Sequence, residues 1–170
     1  MRLPLLVLLL GLPACAVQWD GDPAIYGLDL DVALTQHNAA WTVRDDLKPR
    51  LRTVVAAAAA YWGIAPEAVA GWRLRLTEGL LECGGSSTAN GCTTADDRTV
   101  TITANYFVCI ESSTLVHELG HVALGGDSDH RDPRWRDSDA LRALWADLHA
   151  GLAGAPDCGG EPYHGQWQGF

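Results

Sequence analysis

A chain of 170 residues allows one domain with a real hydrophobic core and is too short for two comfortable ones. With 48% hydrophobic and 19% charged residues it is neither a disordered tail nor a membrane bundle. The net charge of −9 leaves nothing to neutralise phosphates, which argues against a nucleic-acid partner.

The chain opens with MRLPLLVLLLGLPAC, one arginine followed by an apolar run that ends in Leu12-Pro13-Ala14-Cys15. That is the layout of a secretory signal, and the run is too short for a confident transmembrane helix. Its end resembles the lipobox of bacterial lipoproteins, in which cleavage leaves the cysteine as a lipidated N-terminus. The resemblance implies a signal peptide over 1–14, a lipidated N-terminus at Cys15 with a tether over 15–27, and a folded domain over 28–170. Ala16 after the cysteine points, by the same resemblance, to the outer membrane of a Gram-negative bacterium.

Beyond the tether, LDLDVAL at 28–34 alternates apolar and polar residues, the pattern of a half-buried strand. Apolar residues at Leu47, Leu51, Val54, Val55, Ala58, Tyr61 and Trp62 then follow a helical period. Pro49 is tolerable there because it lies in the first turn, and Gly63 ends the run. WRLRLT at 72–77 and RTVTITA at 98–104 alternate again and predict two strands around a cysteine-flanked loop, GGSSTANG. A helix is expected from about Ser112 to Leu124. The last helix, roughly Ser138 to Ala150, presents Leu141, Leu144, Trp145 and Leu148 on one face, with Gly151 as its stop. The expected fold is α+β: a short mixed sheet packed on a long N-terminal helix, a central helix and a C-terminal helix.

Setting Cys15 aside, Cys83, Cys92, Cys109 and Cys158 remain, an even number that suggests two disulfides in an exported chain. Pairing Cys83 with Cys92 would close the short Gly/Ser/Asn-rich segment and leave Cys109 for Cys158. No C-x-x-C pair favours a metal instead.

The segment TLVHELGHVALGGDSDH, 114–130, holds three of the six histidines and reads H-E-x-x-H from His117 to His121. On a helix, residues four apart share a face, so both histidines can reach one metal ion. Glu118 can then reach a water at that metal and take its proton as the water attacks a carbonyl. Composition alone predicts only about 0.007 such motifs in a chain of this size. Gly120, inside the helix, costs about 1 kcal/mol against alanine and makes room for another segment to pack closely.

HELGH on a helix, with a strand before it and a glycine turn after it, resembles the zincin superfamily of zinc metallopeptidases. The resemblance covers about residues 28–150 in element order, and specific motif identity lies in 114–130. It implies Zn2+ as cofactor, His117 and His121 as ligands and Glu118 as general base. The metzincin pattern H-E-x-x-H-x-x-G-x-x-H is not met: Leu124 stands in its glycine position and Asp127 in its last histidine position. No methionine follows Met1 to form the methionine turn of that group. The third ligand is therefore open among His130, which metal preference and reach favour, Asp127 and Asp139. The carboxylates of Asp127, Asp129 and Asp139 also suit hydrogen bonding to a ligating imidazole. Trp135, after Pro133, is placed to pin the loop that carries His130.

Zincins commonly bind peptide along a sheet edge, and the strand at 98–104 is the expected edge. Tyr163 and His164 are candidates for stabilising an oxyanion; His37 and His149 read as surface residues. The expectation is a zinc metallopeptidase of the cell envelope acting on a peptide or protein substrate and held to the membrane through Cys15. The alternative is a non-catalytic envelope lipoprotein using a zincin-like fold for binding or scaffolding.

Overall fold

A computed structural model describes residues 21–33, 47–77, 81–103, 112–127 and 129–152. The expected signal peptide, Cys15, His37, Cys109, Cys158, Tyr163 and His164 lie outside the described residues, and with them the expected Cys109–Cys158 bridge.

Among the described residues, six strands and three helices follow in chain order: β1 (Asp29–Ala33), α1 (Leu47–Trp62), β2 (Arg73–Thr77), β3 (Leu81–Cys83), β4 (Ser86–Ala89), β5 (Gly91–Thr94), β6 (Thr99–Thr103), α2 (Ser112–Ala123) and α3 (Ser138–Leu152). Short 3-10 turns lie at Pro23–Ile25, Pro66–Val69 and Pro133–Arg136, each opened by proline, whose fixed φ suits a first helical position. The α+β class expected from periodicity is the one observed.

The main sheet has the order β1-β2-β6-β5. β1, β2 and β6 run parallel and β5 runs antiparallel to β6. Parallel neighbours need a crossover, and α1 lies in the one between β1 and β2. In register, Leu30, Leu74 and Val100 share one row, and Asp31, Arg75 and Thr101 share the next. Leu74, Leu76, Val100 and Ile102 are fully buried and join one core with Leu51, Val55 and Trp62 of α1, Leu115 and Leu119 of α2, and Leu141 and Leu148 of α3. The other face is polar, with Arg73 bridging Asp29 and Asp31 at 3.5 and 3.6 Å. Such half-exposed pairs contribute little to stability.

Three expectations need correction. The tether expected over 15–27 is part of the fold from Gly21 on: Asp22 caps the first 3-10 turn and Ile25 is fully buried. The cysteine-flanked segment is an antiparallel hairpin, β3 with β4, followed directly by β5. It escapes a pattern search because Gly, Ser and Thr show no alternation in hydrophobicity. The strand at 98–104 is not an edge, because β6 pairs with β2 on one side and β5 on the other. The edge strand beside it is β5. A smaller difference is that α3 runs through Gly151 to Leu152.

Candidate metal centre

The local sequence of α2 explains how the site starts. Leu115, Val116 and Leu119 are buried in the core, so the helix is locked in rotation by its apolar face. His117 and His121 then stand one turn apart, ring centroids 5.0 Å from each other. Glu118 points to the buried side, only 5% exposed.

The helix ends in two residues with positive φ, Gly125 (64°) and Gly126 (85°), and the Gly126 amide donates to the His121 carbonyl at 2.8 Å. The reversed chain is then gathered around Asp127. Its carboxylate accepts from the amides of Arg131 at 2.9 Å and Asp132 at 3.0 Å, and from Trp135 Nε1 at 3.1 Å. His130 follows with φ 51°, a left-handed conformation that a non-glycine residue keeps only where its surroundings hold it. The result is that His130 returns to the helix. Its ring centroid lies 5.0 Å from His117 and 5.0 Å from His121.

The ligating atoms of His117, His121 and His130 all fall within 4.8 Å of one another. Nε2 of His117 and Nε2 of His130 are 3.3 Å apart. Two ligands about 2.0–2.1 Å from one tetrahedral ion stand about 3.4 Å apart, so this spacing fits a zinc-type centre. The donor set fits as well. Burial, with the neighbouring His121 and His130, pushes the His117 imidazole down to about 3 and keeps it neutral, the ligating form. His121 is also lowered, by burial first and then by His130, while a hydrogen bond to the Asp127 backbone works in the opposite direction.

Of the three candidates for the third position, His130 is the one brought to the pair. Asp127 is instead committed to the loop amides and the indole. Asp139 stands almost wholly exposed at the start of α3, beside Arg142. Asp129 pairs with Arg131 at the surface.

Glu118 packs against β5. Thr93 Oγ1 donates to Glu118 Oε2 at 2.7 Å and lies 3.1 Å from the Glu118 carbonyl. Burial raises the Glu118 carboxyl to about 7, against the lowering effect of the Thr93 bond. A Cβ on Gly91 would stand 2.6 Å from Glu118 Oε1 and 2.7 Å from Thr114 Cγ2, so glycine is what admits the helix to this strand. The Cys83–Cys92 disulfide, Cα atoms 5.6 Å apart, ties β3 to β5 next to Thr93. Nothing in the sequence marked Thr93 or Gly91; both matter through contacts with α2, on a distant stretch of the chain.

Gly120 does admit a close neighbour. A Cβ there would meet Trp135 Cη2 at 2.5 Å and Trp62 Cζ2 at 2.6 Å. Trp62 Nε1 donates to the Val116 carbonyl at 2.8 Å. The Pro133–Arg136 turn is fastened to α1 by Tyr61, whose hydroxyl donates to the Arg134 carbonyl at 2.8 Å, and by Arg134, whose guanidinium donates to the Trp62 carbonyl.

Compared with protein-family models, curated proteins and solved structures, the chain matches none.

Proposed function

We propose that the chain is a zinc-dependent peptidase, exported and lipid-anchored through Cys15, with His117, His121 and His130 holding the metal and Glu118 as general base. The observation that carries this reading is the convergence of three imidazoles, nitrogens within 4.8 Å, at a helix that also carries the buried carboxyl of Glu118, the residue after His117. A purely structural zinc site closes its fourth position with another protein ligand, and among the described residues no fourth His, Cys, Asp or Glu joins the three.

Zinc, when bound, supplies a Lewis acid that polarises a carbonyl and acidifies water. The chain's own residues do the rest. The three histidines would hold the ion through ring nitrogens, and the Asp127 backbone orients the His121 ring. Glu118, whose carboxyl burial raises in the metal-free chain, can take a proton from an attacking water and return it to the departing amine nitrogen. The Thr93 hydroxyl fixes the carboxylate that does this. β5, the antiparallel edge strand packed on α2, replaces β6 as the strand beside which an extended peptide would lie.

The test is metal content by mass spectrometry on the purified chain, with hydrolysis of a mixed peptide substrate read in parallel. About one zinc per wild-type chain is expected, lost in His130→Ala and kept in Asp139→Ala. Glu118→Gln should keep the zinc and lose hydrolysis by a factor of about 10²–10⁴. A wild-type chain that takes up no zinc after zinc addition would overturn the reading. Zinc without hydrolysis would favour the binding or scaffolding alternative.

A further inference from the structure

We infer that Trp135 is a positioning residue for this metal site: its indole is the shared wall against which all three imidazoles set their ring planes, and Asp127 holds the indole in place. The inference rests on the metal reading above and adds a residue to it.

One side chain from a separate element touches every ligand. The Trp135 ring centroid is 4.9 Å from His117, 4.9 Å from His121 and 4.5 Å from His130. A ligating imidazole has to be held in its ring plane as well as at its nitrogen, because rotation about the side chain swings the lone pair off the metal. Two of these rings come from a helix and the third from an irregular loop, so a common wall is what relates their planes.

The wall itself is immobilised on three sides. Nε1 donates to Asp127 Oδ2 at 3.1 Å, the oxygen that also accepts the Asp132 amide. Behind the indole, Trp62 packs at a centroid distance of 4.5 Å. Beneath it α2 carries Gly120, where any Cβ would stand 2.5 Å from the indole. The same carboxylate thus shapes the loop that delivers His130 and orients the ring that aligns it.

The experiment uses the full chain as wild type, Trp135→Phe, Trp135→Leu and Trp135→Ala. Zinc affinity is read by competition with a chromophoric chelator, and coordination by the visible absorption of the cobalt(II)-loaded chain. Far-UV circular dichroism checks the fold. Trp135→Leu, which fills space without an aromatic face, and Trp135→Ala should both weaken zinc binding 10–100-fold and change the intensity of the cobalt band. Trp135→Phe, which keeps an aromatic face but loses the Nε1–H donor to Asp127, should recover part of the affinity lost in the leucine variant and move the band back toward wild type. If alanine fails to fold, the leucine–phenylalanine pair carries the comparison. A folded leucine variant with wild-type affinity and cobalt spectrum overturns the inference while leaving the metal site standing. So does a phenylalanine variant no better than leucine. A wild-type chain that binds neither metal overturns both.

Discussion

At Glu118, burial and a single hydroxyl act in opposite directions on one carboxyl group, and burial wins: the group moves from 4.5 to about 7. Because the folded value lies above the unfolded one, the folded chain binds the extra proton between those limits. Stability of the metal-free chain therefore loses this contribution as pH rises across that window. Glu118→Gln removes the group, so the variant should gain on wild type by roughly 3 kcal/mol between pH 4 and 8, at about 1.36 kcal/mol per unit. Urea titrations of both chains in chelator would read it; a constant difference across pH would refute the shift. Gly120 carries a second prediction at this scale. Alanine there gains about 1 kcal/mol of helix propensity but drives a methyl into two indoles. Overpacking should dominate, leaving Gly120→Ala about 1–2 kcal/mol less stable by the same assay.

Among the elements, β5 holds two jobs: it closes the sheet and it holds the Glu118 carboxylate, the proposed general base. The hairpin before it has little apolar area, and the Cys83–Cys92 bond supplies the constraint that packing does not. Replacing both cysteines by serine should cost roughly 2–3 kcal/mol, the closure term for a loop of this length. Hydrogen exchange should then show faster opening of β5 amides while β1 and β2 stay protected. Equal protection across the sheet would mean that strand pairing alone secures β5. The 3-10 turn at Pro133–Arg136 is the other element whose use exceeds its size, because its attachment to Tyr61 and Trp62 joins the His130 loop to the long helix.

For the whole molecule, a metal that binds the folded chain and not the unfolded one adds to global stability. Zinc held at 100 times its dissociation constant should add about 2.7 kcal/mol and raise the melting temperature. His130→Ala should abolish that rise while leaving the chelator-treated melting point near that of wild type, since His130 is only half-buried, on the loop that follows α2. A zinc-dependent rise that survives in His130→Ala would place the metal elsewhere.

What could be read from the chain alone was whatever depends on neighbours within a few turns. Periodicity located β1, β2, β6 and the three helices to within a few residues, because each buries a regular face. The pair His117 and His121 was legible for the same reason: four residues on a helix is one turn. Beyond that reach the sequence left choices open. Whether His130, Asp127 or Asp139 joined the pair turned on two left-handed glycines, a left-handed histidine and a carboxylate committed to loop amides. The edge strand was misplaced because pairing order is a property of the sheet, and the strand nearest in sequence to α2 lies inside it. Thr93, Gly91 and the contacts of Trp135 belong to the tertiary structure alone, since each matters only through a partner that folding brings from a distant part of the chain.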